Sequence, residues 1–331
     1  MRLGDWLTAR RVDLLLAVAA TVAAGTGLAS WAMGTGWARW LTVVHALAGL
    51  SLLALAPAKL RGSVRTGLKR RRPTRWLSML LGALVTATVV LGVLHATGLW
   101  HGVGYWSALW THVLLAALLA PLLVWHIVSR PGRPKAADLD RRALIGGGVA
   151  LAAAGAVYWI QQLAVGDNRR FTGSHEIASF NPADMPTTMW LNDQSPRVAA
   201  SHWDLTVAGE PVTIEALGAR AVPVTADLDC TGGWWSRQSW DAVPLAELMG
   251  SVDAPTLEVT SLTGYSRLFP ARDVANLYLA VGYSGKPLRR GHGAPVRLVA
   301  PGRRGFWWVK WVTRIDPVDR PWWLQLPFPL E

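Results

Sequence analysis

The chain has 331 residues, 51% of them hydrophobic and only 16% charged; that length accommodates two domains, and that composition points to a membrane. Its formal net charge is +12, but the basic residues fall between apolar spans and form no aromatic-interleaved stripe, so nucleic acid is not an expected partner. The single cysteine, Cys230, excludes an intrachain disulfide framework and any multi-cysteine zinc or iron–sulfur site.

Five apolar runs, at 12–33, 39–60, 75–98, 107–128 and 143–164, each reach the roughly 20 residues that a hydrocarbon core requires. They predict an all-α transmembrane helical bundle of about five helices over residues 1–164. The segment between the second and third runs carries Arg61, Arg65, Lys69, Arg70, Arg71, Arg72 and Arg75, and residues 129–142 carry Arg130, Arg133, Lys135, Arg141 and Arg142. The alternate connections, 34–38 and 99–106, carry no lysine or arginine. Basic loops stay in the cytoplasm. The expected topology is therefore a multi-pass protein of the bacterial cytoplasmic membrane, embedded in lipid, with a cytoplasmic N-terminus and an extracytoplasmic C-terminal domain. Asp140-Arg141-Arg142-Ala143-Leu144-Ile145 leads into the fifth run; it reads either as an ordinary positive-inside flank or as a twin-arginine (Tat) export signal.

Ionisable residues inside a membrane are costly and usually functional. His45 and His112 fall about one turn inside the same outer end of the second and fourth spans, and His95 lies near the outer end of the third. A b-type haem needs two imidazoles at one depth on facing helices. His45 and His112 meet that requirement, with His95 as a substitute partner. His126, fourteen residues after His112, returns to nearly the same helix face about 21 Å away, but the position fourteen after His45 is Lys59. One haem b is expected, and no second. Interhelical hydrogen bonding without a metal is the competing account of these histidines. His101, in a short outer loop, is expected to be solvated.

After residue 164 the composition shifts to Pro, Gly, Asp and Trp with short alternating runs, such as 203–209 and 295–301, and helical stretches near 243–250 and 271–280. Residues 165–331 therefore read as a mixed α+β domain. Within it, Asp229-Cys-Thr-Gly-Gly-Trp-Trp-Ser236, Ser261-Leu-Thr-Gly-Tyr-Ser-Arg-Leu-Phe-Pro270, Gly291-His-Gly-Ala-Pro-Val-Arg-Leu-Val-Ala-Pro-Gly302 and Gly305-Phe-Trp-Trp-Val-Lys-Trp311 resemble the sulfite oxidase and periplasmic sulfoxide reductase superfamily of molybdopterin enzymes. The whole chain resembles bacterial fusions of that domain to a cytochrome-b561-like bundle.

This resemblance implies that Cys230 supplies the protein thiolate to molybdenum from a turn containing Gly232 and Gly233. It also implies that His292, Arg297 and Lys310 contact the phosphate of the pterin, with Arg303 and Arg304 as further candidates. Charges within apolar strand runs need partners, which suits that assignment. Sulfite oxidases place arginines four and five residues after the metal cysteine, where this chain has Trp234 and Trp235. No tyrosine follows Lys310. An aromatic pocket favours a less charged small-molecule substrate, a sulfoxide or N-oxide, over sulfite. Trp307, Trp308, Trp322 and Trp323 either extend that wall or belong to core or interface. The expected activity is two-electron oxygen-atom transfer, with electrons exchanged through haem b and the quinone pool or another electron-transfer partner. The alternative is a non-catalytic membrane sensor or scaffold that retains the fold.

Overall fold

The computed structural model describes residues 8–61, 69, 75–104, 106–129, 135–165, 168–189 and 193–326. Arg65, Arg70, Arg71, Arg72, Arg130 and Arg133 of the basic loops lie outside the described residues. The chain divides into two compact units: one contains the long helices and runs to Gly173, and the other begins at Ser174 and includes the short Trp31–Gly36 segment.

The first unit is built from α1 (Ala9–Ala32), α2 (Arg39–Lys59), α3 (Arg75–Thr97), α4 (Ala108–Val128) and α5 (Arg141–Ala164). All five are long and apolar enough to cross a membrane, and their ends fall within a few residues of the runs read from the sequence. α3 packs against α4, and α2 against α5. A two-residue hairpin, β1 (Gly102–Val103) with β2 (Trp106–Ser107), joins α3 to α4. Side-chain caps set the starts of α4 and α5: the Ser107 hydroxyl accepts from Trp110 N at 3.1 Å, and Asp140 Oδ1 accepts from Ala143 N at 3.0 Å. The Asp140 cap places Arg141 and Arg142 in the first turn of α5. Lys59 forms an ion pair with Asp13, and Arg11 with Asp140, which ties α1 to α2 and to the start of α5.

The second unit is an α+β domain with two sheets. In the six-stranded sheet, β7 (Trp234–Pro244) is central: it pairs antiparallel with β6 (Val222–Asp229) and β10 (Tyr278–Tyr283) and parallel with β3 (His175–Glu176). β10 also pairs antiparallel with β11 (Lys286–Pro287) and β12 (Arg297–Val299). The second sheet has the order β5 (Glu210–Pro211), β4 (Thr206–Val207), β13 (Val312–Val318), β8 (Thr256–Ser261), β9 (Ser266–Pro270), with only the β4–β13 pair parallel. Two short helices, α6 (Ile214–Arg220) and α7 (Leu245–Met249), flank the sheets. Alternating burial along β7 and β8 places Trp240, Ala242, Leu257 and Val259 in the core, each fully enclosed.

The helical stretch expected at 271–280 is corrected. Ala271–Asn276 is a short 3-10 segment, and the chain has entered β10 by Tyr278. Leu279 and Ala280 pair with both β7 and β12, so strand pairing on two sides overrides the local helical preference.

Candidate active site

Cys230 occupies the turn between β6 and β7. Cys230 N donates to Trp234 O at 2.8 Å, and Gly233 N donates to Cys230 O at 3.2 Å. Gly233 has φ +90°, a conformation that a side chain would strain. Gly232 N donates to Cys230 Sγ at 3.3 Å. A Cβ on Gly305 would stand 3.2 Å from Thr231 N and 3.3 Å from Cys230 Cα, so the bare backbone at Gly305 lets the downstream loop press against this turn.

The thiol opens into a cleft also lined by Thr188, Met189, Asp193, Trp234, Tyr265, His292, Arg297, Phe306, Trp308 and Lys310. Burial raises the Cys230 pKa, while Thr188, Gly232 N–H, Lys310 and Arg304 favour the thiolate. A metal replacing the proton would remove the dominant opposing effect.

Arg297 starts β12 and is 1% exposed. Its Nη1 donates to His292 O at 2.9 Å and its Nη2 to Trp308 O at 3.3 Å. Its Nε is buried without a hydrogen-bond partner. The guanidinium carbon stands 5.1 Å from the Trp240 ring and 5.5 Å from the Trp308 ring. Lys310 Nζ donates to Thr188 O at 2.9 Å and Gly291 O at 2.7 Å. Burial, then the neighbouring Arg297, lowers the Lys310 pKa to about 7 and burial lowers that of Arg297 to about 10. A buried guanidinium and a part-buried ammonium, both bonded to neutral carbonyls, present a demand for an anion. A phosphate satisfies that demand, and the neighbouring thiol is a soft metal ligand. The residues present therefore fit a phosphate-bearing pterin with a thiolate-ligated metal.

The remaining expected residues divide. His292 lies in the cleft wall, but Met185 O accepts from its Nε2 at 3.1 Å, which leaves Nδ1 to accept from the Tyr283 hydroxyl at 3.1 Å. Burial and the cations Arg297, Arg289 and Lys310 hold its pKa down to about 3, so the ring is neutral and positions its neighbours. Arg304 is 2% exposed and lies behind the Cys230 turn, bonded to Cys230 O. Arg303 forms an ion pair with Asp273 and covers the Trp307 ring, so it does not line the cleft. Trp234 does line the cleft, with Nε1 donating to Thr188 Oγ1 at 3.2 Å. Trp235, one residue along the strand, points to the other face, where the Arg237 guanidinium lies 6.0 Å from its ring. Of the four later tryptophans, Trp308 lines the cleft, Trp307 is core against Phe269, and Trp322 and Trp323 border a separate surface hollow.

Tyr265 and Asp193 were not singled out from the sequence. Tyr265 lies inside the quoted 261–270 stretch and donates to Phe306 O at 2.6 Å; burial raises its pKa. Burial also raises the Asp193 pKa, against a Thr263 hydrogen bond and the Lys310 charge. Thr188 and Asp193 belong to an irregular segment with no periodic signal.

In the helical unit, His45 on α2 and His112 on α4 face each other with ring centroids 5.8 Å apart and planes at 86°. His45 Nδ1 bonds Ala23 O at 2.8 Å, and His112 Nδ1 bonds Thr88 O at 2.8 Å. A carbonyl only accepts, so each Nδ1 carries the proton and each Nε2 keeps its lone pair, the form in which imidazole binds a metal. A Cβ on Gly27 would stand 2.7 Å from His45 Cε1, and one on Gly92 would stand 3.1 Å from His112 Cε1, so both rings occupy space that two glycines leave open. His95 instead packs beside Gly173, whose Cβ would stand 2.8 Å from its Nε2. His126 lies near the far end of α4, and His101 is exposed.

The Cys230 thiol, on its glycine turn, thus shares one cleft with the cations Arg297 and Lys310. Residues 192–323 match the family described as the oxidoreductase molybdopterin binding domain. This part of the chain is thus similar to molybdopterin-dependent oxidoreductases. The chain is 26% identical over 230 residues to the protein-methionine-sulfoxide reductase catalytic subunit MsrP of Gluconobacter oxydans, a match covering 56% of this chain and 72% of that one. It is 29% identical over 149 residues to the MsrP of Xanthomonas campestris pv. campestris, covering 36% of this chain and 46% of that one. The sulfane dehydrogenase SoxCD of Paracoccus pantotrophus superimposes with a TM-score of 0.34 at 26% identity, over 38% of this chain and 40% of that chain.

Proposed function

We propose that the chain is a membrane-anchored molybdenum enzyme that removes an oxygen atom from a sulfoxide on the extracytoplasmic side, supplied with electrons through a b-type haem from the quinone pool. The observation that carries this reading is the common cleft of Cys230, Arg297 and Lys310. Residues 1–164 would form the anchor and 165–331 the catalytic domain. The Arg141-Arg142 pair at the start of α5 would then serve export of a domain folded around its cofactor.

The bound molybdenum centre would supply two-electron oxygen-atom transfer. Cys230 Sγ would be the protein ligand, and Lys310 and Arg297 would hold the phosphate. Arg304 and Gly233 would fix the turn, and His292 would fix the loop that carries Gly291 O. Converting a sulfoxide to a sulfide and water consumes two electrons and two protons, which one quinol can provide. Asp193, biased by burial toward its protonated form, lines the cleft where a departing oxygen needs a proton. The Trp234 and Trp308 side chains give the wall an uncharged aromatic character that suits a neutral sulfoxide. The MsrP relatives, named for methionine sulfoxide, favour that substrate class. His45 and His112 would hold the haem iron between them.

Molybdenum and iron quantification on detergent-solubilised protein from a cofactor-competent host tests the reading. Reoxidation of the reduced haem by methionine sulfoxide, an N-oxide or sulfite then identifies the substrate. Absence of molybdenum removes the enzyme reading; absence of b-type haem removes the electron route and leaves the molybdenum site.

A further inference from the structure

The end of the bundle beyond the paired imidazoles holds a cationic group that helix packing does not explain. Gly92 on α3 backs the His112 ring. Three residues on, His95 lies toward the same helix face, about 4.5 Å nearer the helix end, and is only 8% exposed. The segment after α5 folds against this end: a Cβ on Gly98 would stand 2.4 Å from an Arg169 guanidinium nitrogen, and Gly173 abuts His95.

Arg169 Nη1 donates to Gly173 O, a neutral partner. Among the described residues no carboxylate pairs with this guanidinium, and burial lowers its pKa. A half-buried guanidinium whose hydrogen bond goes to a neutral carbonyl keeps donors available for an anion. Guanidinium geometry matches a carboxylate through two parallel hydrogen bonds.

We propose that Arg169, with His95 beside it, forms the anion-binding rim of the haem site and receives the haem propionate carboxylates. This rests on the reading of His45 and His112 as iron ligands. It makes His95 a rim residue rather than an alternative ligand, and it gives the residues just after α5 a cofactor-binding role. A cation at the rim offsets the propionate charge and so favours the reduced iron; its removal lowers the midpoint potential.

The test uses full-length protein in lipid-free neutral detergent, as wild type, Arg169→Gln and Arg169→Lys. Haem per chain is measured by pyridine haemochrome and midpoint potential by spectroelectrochemical titration. The expected result is a roughly tenfold shift of the redox equilibrium toward oxidised haem in Arg169→Gln, 59 mV for one electron, largely restored in Arg169→Lys. Wild-type protein without haem would overturn the ligand reading itself. Wild-type haem with an unchanged potential in Arg169→Gln would overturn the rim assignment alone, as would loss of haem from both variants. An effect that appears only after anionic lipid is added would assign the site to a lipid phosphate and overturn the propionate assignment.

Discussion

Arg304 donates from Nη2 to the carbonyl oxygen of Cys230 at 3.1 Å, while its Nε stands 3.6 Å from Asp229 Oδ1, both side chains being 2% exposed. Asp229 Oδ1 also accepts from Ser174 Oγ at 2.8 Å. The residue immediately before the thiol and the thiol's own backbone are thus fixed by one buried guanidinium. Removing one member of a buried ion pair typically costs about 3–5 kcal/mol. Arg304→Ala should therefore lower the thermal unfolding midpoint of the second unit and reduce molybdenum content together, and Arg304→Lys should fall between it and wild type.

Cys230→Ala should abolish both turnover and molybdenum retention. The thiol's contribution to packing is small, and the turn is held by backbone hydrogen bonds, Gly233 and Arg304, so stability should change by less than about 1.5 kcal/mol. Elemental analysis beside a melting curve checks this; a variant that retains stoichiometric metal would remove the ligand role.

Two pH effects follow from the depressed pKa values in the cleft. The Lys310 pKa in the folded cofactor-free protein is about 7, against an ordinary value of 10.5. Between those values the unfolded chain binds the extra proton, so the lysine's contribution to stability rises with pH. Lys310→Met should lose that rise, which denaturant titrations from pH 7 to 10 would reveal. His292 is held at about 3 against 6.5, so the stability due to its neutral ring is present above pH 6.5 and lost as pH falls toward 3. Acid unfolding of His292→Gln beside wild type should show a shallower pH dependence in the variant.

Gly27 and Gly92 leave the space that the His45 and His112 rings occupy. Gly92→Leu should displace His112 and eliminate the low-spin haem absorbance while leaving molybdenum content unchanged, because the substitution lies in the helical unit. Gly25→Leu on α1, where a Cβ meets nothing within 4 Å, serves as the control and should retain the haem spectrum.

The apolar runs and their lengths determined the five helices by themselves, because the requirement to satisfy backbone hydrogen bonds in an apolar medium is met within each segment. The Cys-Thr-Gly-Gly turn and the His-Gly-Ala-Pro-Val-Arg stretch were legible only through their joint resemblance to a known family, since a lone cysteine is by itself more often a buried apolar group and a lone arginine a surface charge. The sequence named His112 as the partner of His45 with His95 as a substitute, and tertiary structure set the His45 and His112 rings against each other, because equal depth along two helices leaves their rotation open. Tertiary structure also turned Arg303 toward Asp273 and Trp235 away from the cleft, and it brought Thr188, Asp193 and Tyr265 to Cys230 from distant parts of the chain. Those outcomes depend on strand register and on contacts between residues far apart in sequence, which no local spacing encodes.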